Sequence, residues 1–121
     1  MSRILVGDDA GLIIGLCAEM LQALGYTVRG AESGEGVLDL LRTESFDLVL
    51  LDYRLPDIDG FEVFRRARAL QPDLAFVLIT AYGTTDVIDD ATELGFTTVL
   101  LKPFMRDQLR GAVENALAAK G

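Results

Sequence analysis

Four stretches of this sequence end in side chains that could handle a charged group together. Asp8-Asp9 follow one apolar run, Asp52 closes a second, Thr80 a third, and Lys102-Pro103 a fourth. Three carboxylates brought to one place repel each other, which raises their pKa values and costs stability unless a cation is present. Oxygen-only donors with few protein contacts suit Mg²⁺, a hard ion that keeps several waters and favours sites where a phosphate oxygen is also offered. Such a cation would quench the repulsion between an incoming phosphoryl group and an attacking carboxylate, so that Asp52 could act as a nucleophile. Lys102 fits as a point charge for one phosphoryl oxygen and the Thr80 hydroxyl as a donor to another, because phosphoryl transfer is mostly positioning and charge stabilisation.

For these residues to meet, the elements between them must bring four chain segments to one rim. Arg3 to Gly7, Thr27 to Ala31, Asp47 to Asp52, Ala75 to Thr80 and Thr98 to Lys102 read as strands, four of them too apolar on both faces to border water. Leu12 to Leu24, Gly34 to Thr43, Gly60 to Leu70, Thr85 to Leu94 and Arg106 to Ala119 carry apolar residues three and four apart, the spacing of amphipathic helices. Ser33 and Thr84 or Thr85 stand where helices start, and Gly25 and Gly95 where they stop. The result is an α/β pattern, βα repeated five times. Right-handed crossovers put helices on both faces of a parallel sheet, and function is expected at the C-terminal ends of the strands.

Composition narrows the function. At 121 residues, half of them hydrophobic, the chain can bury a core without disulfides or metals, and residues 1–121 read as one domain. The single cysteine, Cys17, lies on an apolar helix face, so no internal disulfide forms and a cytoplasmic location is expected. No apolar run is long enough for a membrane span, and Met1-Ser2-Arg3 leads straight into a strand. A net charge of −8 repels phosphate backbones and anionic lipids, which points to protein partners and cations rather than nucleic acid or membranes. The loop after the first strand offers Asp8-Asp9 where a nucleotide site would need a glycine-rich cradle.

The segments Ile4-Leu-Val-Gly-Asp-Asp9, Leu50-Leu-Asp-Tyr-Arg-Leu-Pro-Asp-Ile-Asp-Gly60, Thr80-Ala-Tyr-Gly83 and Leu101-Lys-Pro-Phe104 resemble, in order and spacing, the signature blocks of response-regulator receiver domains. The resemblance covers essentially the whole chain. It implies a (βα)5 doubly wound, five-stranded parallel sheet of the flavodoxin-like kind, strand order 2-1-3-4-5. It implies that Asp52 is the phosphoacceptor, served by a sensor histidine kinase or phosphotransfer protein. Asp8, Asp9, Asp52 and the backbone carbonyl of Arg54 would then hold Mg²⁺, Thr80 and Lys102 would contact the phosphoryl group, and the Lys102-Pro103 bond would be cis. Output would pass to a downstream protein or effector domain through the face made by the fourth helix, fifth strand and fifth helix, which is also the face through which a homodimer would form. The domain would assist its own phosphorylation and dephosphorylation without being an enzyme on outside substrates.

Departures from the family pattern are informative. Val99 stands three positions before the motif lysine, where receivers usually carry an aromatic ring that turns inward when the threonine moves. Tyr82 is the candidate to take part of that role. Arg54 and Tyr82 occupy the two positions that, by the resemblance, modulate access of water, and their size implies slow self-dephosphorylation. Gly7 has no reading beyond packing. Plainer readings compete: Asp9 as a helix cap, Thr80 as a strand end, Lys102 as a solvated lysine, Asp57 and Asp59 as turn and helix-start residues, and Arg65, Arg66 and Arg68 as a solvated helix face. Phe61, Phe64 and Phe76 read as core. Three functional classes remain: a phosphorylation-dependent switch, a small phosphotransfer enzyme or phosphatase, and a phosphorylation-independent docking module. The absence of histidine and of a second acid-base residue beside Asp52 weighs against the enzyme.

Overall fold

Five strands and five helices alternate along the chain in the computed structural model, which describes residues 2–120. Met1 and Gly121, the ends of the expected 1–121 domain, lie outside the described residues. The order is β1 (Arg3–Gly7), α1 (Gly11–Ala23), β2 (Thr27–Ala31), α2 (Gly34–Thr43), β3 (Leu48–Asp52), α3 (Gly60–Leu70), β4 (Ala75–Thr80), α4 (Thr85–Leu94), β5 (Thr98–Leu101) and α5 (Arg106–Lys120). All strands are parallel and lie in the order β2-β1-β3-β4-β5, so the fold is the doubly wound, flavodoxin-like one.

Alternation along the strands divides the interior in two. Ile4, Val6, Leu48, Leu50, Val77, Ile79 and Leu100 face α1 and α5, where they pack on Cys17, Leu21, Leu109 and Val113. Leu5, Val49, Leu51, Phe76 and Leu78 face the other way, onto Val37, Leu38, Val63, Phe64 and Ala91 of α2, α3 and α4. A strand with helices on both sides must be apolar on both sides, and β1, β3 and β4 are almost wholly buried. The expectation of four such strands holds for three. The strand order makes β5 an edge, where only Leu100 is buried and Leu101 is 47% exposed.

Local chemistry sets the helix ends. Ser33 Oγ accepts from Gly36 N at 3.0 Å, Asp59 Oδ1 from Glu62 N at 2.9 Å and Thr84 Oγ1 from Val87 N at 3.3 Å, so α2, α3 and α4 each begin on a side-chain cap. Gly25 and Gly95 follow the ends of α1 and α4 with φ of +96° and +128°, values a residue with a Cβ rarely adopts. The capping reading of Asp9 fails: α1 has no side-chain cap, and Asp8 Oδ1 accepts from Ala10 N at 2.9 Å instead. Phe64 and Phe76 are core and the partly buried Phe61 packs against it, all three joined with Phe96 in one aromatic cluster. Arg65 and Arg66 pair with Glu62 on the solvated face of α3. Arg68 is exposed as well, and its guanidinium also lies over Phe64, 4.9 Å from the ring centre, covering the aromatic cluster.

Gly7 gains a reading here. A Cβ at this position would lie 2.6 Å from Val37 Cγ2 and 3.2 Å from Leu51 Cδ1, so its absence lets α2 pack directly on the end of β1. Gly7→Ala is expected to destabilise the protein by about 1–3 kcal/mol, the range for overpacking a filled core. Urea denaturation checks it, and an unchanged midpoint would mean that α2 can shift freely.

Candidate functional site

The alternation that sorts the core also assembles the site. The row facing α1 and α5 runs Ile4-Val6 in β1, Leu48-Leu50 in β3 and Leu100 in β5. Continued one step toward the C-terminal edge, it reaches Asp8, Asp52 and Lys102. Register brings them level, because Gly7 pairs with Leu51 and the two residues that follow are the aspartates. One ligand oxygen from each of Asp8, Asp9 and Asp52 falls within 4.8 Å of the others. Asp8 is fully buried, Asp52 nearly so, and Asp9 is exposed at the mouth.

Lys102 reaches into this cluster from the end of β5. Its Nζ lies 3.0 Å from Asp52 Oδ2 in a hydrogen bond and 2.8 Å from Asp8 Oδ2. The second contact is an ion pair. Asp8 Oδ2 is thus buried without a directed donor. Burial is the main reason the Asp52 carboxyl stands above its ordinary 3.8; the Lys102 ammonium and the Arg54 N–H work against that rise, and the charge of Asp8 adds to it. Burial also opposes the Lys102 charge, yet its contacts with Asp8 and Asp52 outweigh that and hold the ammonium above 10.5. Below the cluster, burial and the field of Asp8 push the Cys17 thiol up to about 11, which makes it an inert core residue.

The remaining candidates frame the rim. Arg54 N donates to Asp52 Oδ1 at 3.2 Å, and the Arg54 guanidinium lies over the Tyr82 ring, 4.4 Å from its centre. Thr80 is fully buried and belongs to the opposite strand row, with Phe76 and Leu78. Its hydroxyl makes no hydrogen bond to the carboxylates. Thr80 Oγ1 accepts from Tyr82 N at 2.8 Å, and Thr80 O accepts from Lys102 N at 2.9 Å. Val99, paired with Leu78, is partly buried and packs against the core on that same side, the side opposite to the row that carries Asp8 and Asp52. The Lys102-Pro103 bond is cis.

Two positioning features were not legible beforehand. Asp57 is more than a turn residue: its carboxylate accepts from Gly34 N at 2.8 Å and Glu35 N at 2.9 Å, tying the loop after β3 to the first turn of α2. Those donors hold the Asp57 carboxyl below its ordinary 3.8. Gly60 closes the same loop, since a Cβ there would lie 2.6 Å from the Asp52 carbonyl oxygen. An aspartate near a proline and a glycine marks a turn in any sequence, and only the packed loop shows what each one holds.

The donors fit a hard divalent cation: all are oxygens, they converge, one is buried without a directed donor, and three carboxylates against one ammonium leave the cluster short of positive charge.

A family model described as the response regulator receiver domain matches residues 4–114. The chain belongs to this family. It is 37% identical over 118 residues to sporulation initiation phosphotransferase F of Bacillus subtilis, covering 98% of this chain and 95% of that one. It is also 37% identical over 114 residues to transcriptional regulatory protein GlrR of Escherichia coli, covering 94% of this chain and 26% of that protein. The chain therefore spans about a quarter of that regulator's length. Among solved structures, a response regulator receiver domain protein of Methanospirillum hungatei superposes with a TM-score of 0.92 at 27% identity, covering 99% of this chain and 96% of that one. Receiver domains are signalling switches of two-component systems rather than enzymes of the usual kind, and they bind Mg²⁺ at a cluster of aspartates. No helix among the described residues is long and apolar enough to cross a membrane.

The raised Asp52 pKa fixes the sign of a pH effect. Charging Asp52 is harder in the folded chain than in the unfolded one, so its contribution to stability is present below about pH 3.8 and lost as pH rises through the raised value. Asp52→Asn is therefore expected to match wild type in acid and to melt at a higher temperature near neutrality without metal. Equal melting temperatures across that range would mean that the carboxylate is not held against the cluster.

Proposed function

We propose that this receiver domain is a phosphorylation-dependent switch that accepts a phosphoryl group on Asp52 from a phosphohistidine of a sensor kinase or phosphotransfer protein. The observation that carries the reading is the buried Asp8-Asp52-Lys102 cluster at the strand ends, with Asp9 at its open side. In the transfer, an Asp52 carboxylate oxygen attacks phosphorus, the O–P bond forms as the P–N bond breaks, and the electron pair leaves with the imidazole nitrogen. Lys102, already hydrogen-bonded to Asp52, balances charge that builds on the phosphoryl oxygens. The buried Thr80 hydroxyl is one strand away, in the residue after Ile79, the β4 partner of Asp52, and would donate to another oxygen once the loop after β4 moves inward. Asp8, Asp9, Asp52 and the Arg54 carbonyl would hold Mg²⁺. When bound, the ion supplies the positive charge that lets two anions meet.

The output face proposed is that of α4, β5 and α5, where the edge strand leaves Leu101 exposed beside α5. A downstream protein, an effector domain or a second copy of the chain would read it. The phosphoryl group acts there by shifting a two-state equilibrium, not by direct contact. Val99 favours a second reading, a docking module that works without phosphate, because the ring that usually couples to Thr80 is missing.

Intact mass after incubation with acetyl phosphate separates the two. Wild type with Mg²⁺ is expected to gain one phosphoryl group, and either Asp52→Asn or removal of the metal is expected to abolish the gain. Wild type that stays unmodified with Mg²⁺ shown to bind would favour the docking module.

A further inference from the structure

We infer that the Arg54 guanidinium exchanges partners on phosphorylation, leaving the Tyr82 ring for a phosphoryl oxygen on Asp52 and so freeing Tyr82 to carry the switch in this chain. The inference rests on the phosphoacceptor reading above and concerns how that site is regulated. Three contacts and one strand pairing close a ring around the site. Asp52 Oδ1 accepts from Arg54 N at 3.2 Å, the Arg54 guanidinium stacks on Tyr82 at 4.4 Å, Tyr82 N donates to Thr80 Oγ1 at 2.8 Å, and Thr80 follows Ile79, the β4 partner of Asp52. The weakest of the three contacts is the stack. Both side chains are exposed, Tyr82 by 48%, and among the described residues no carboxylate pairs with the guanidinium.

A cation over an exposed ring is a weak contact, whereas a guanidinium matches a phosphoryl group in charge and in the geometry of its paired donors. Phosphorylation would put close to two negative charges two residues from Arg54, within the sweep of its side chain. The guanidinium then goes to the stronger partner. Thr80, drawn toward the same group, carries the Tyr82 backbone with it through the Tyr82 N to Thr80 Oγ1 bond. Tyr82 is left unstacked next to Gly83, where a Cβ would lie 2.5 Å from Leu101 Cδ2, so motion of this loop presses on the exposed end of β5. A ring in the loop after β4 thus acts on the output strand, while Val99 stays packed against the core.

The test labels the protein with 3-fluorotyrosine, assigns Tyr82 with Tyr82→Phe, and follows its ¹⁹F resonance during phosphorylation by acetyl phosphate and Mg²⁺, with intact mass recorded on the same samples. The Tyr82 resonance is expected to move as mass shows Asp52 filling. In Arg54→Met, which keeps the length and loses the charge, the resonance should already be displaced before phosphorylation and move little after it. The phosphoryl lifetime of Arg54→Met should be several-fold shorter than wild type, and Arg54→Lys should recover part of it. A Tyr82 resonance that stays fixed on a fully phosphorylated wild type would overturn the inference and leave the phosphoacceptor reading intact. So would an Arg54→Met lifetime equal to wild type, because bulk alone would then shield the site. A wild type that takes up no phosphoryl group would overturn the phosphoacceptor reading and this inference together.

Discussion

The Lys102 ammonium, placed between Asp8 and Asp52, is the contact on which the site depends. Its two partners are almost without solvent, and a buried carboxylate stripped of its only cation is among the costliest states a fold can hold. Yet one ammonium cannot balance three carboxylates, and Asp8 Oδ2 still lacks a directed donor. The resting site is therefore stable enough to fold and electrostatically unfinished. On the proposed reading, that shortfall of positive charge is what a divalent cation, and after it a phosphoryl group, would meet.

The scaffold exists to hold that cluster still. Three buried strands give Asp8 and Asp52 fixed positions, and parallel register sets them side by side. The edge strand β5 is less buried, and it is Lys102, at the end of this looser element, that reaches across. Contacts around the rim grade from rigid to weak. Asp57 locks the loop after β3 onto α2, and Gly60 lets that loop close against the Asp52 backbone. Arg54 on Tyr82 is exposed and easily broken. A signal can pass only where the structure is bistable, which directs attention to the last contact.

Much of this could be read from the sequence, because periodicity reports burial and burial reports topology. Runs such as Leu48-Val-Leu-Leu51 announced a strand covered on both faces, and capping by Ser33 and Thr84 followed from chemistry local to each helix. Convergence of Asp8, Asp52 and Lys102 was legible once strand ends were known, since each falls at an end. Legibility failed wherever the partner is distant in sequence. Val99-Leu-Leu-Lys102 reads as buried as Leu48 to Leu51, and only its place at the sheet edge exposes Leu101. Gly7 is explained only opposite Val37 and the placement of Arg68 only over Phe64, and although Arg54 and Tyr82 were each singled out, their contact with one another was not. Side-chain encounters of this kind are settled by packing, and no local pattern encodes them.

The most direct test of the unfinished cluster is a Mg²⁺ titration followed by thermal unfolding, on wild type and on Lys102→Met. If Mg²⁺ binds the folded cluster and not the unfolded chain, as proposed, the melting temperature of wild type climbs with metal and levels off at saturation. Lys102→Met, with its carboxylates uncompensated, should melt lower without metal and gain more from it. A wild type whose melting temperature ignores Mg²⁺ would contradict the account, since Lys102 alone would then satisfy the three carboxylates.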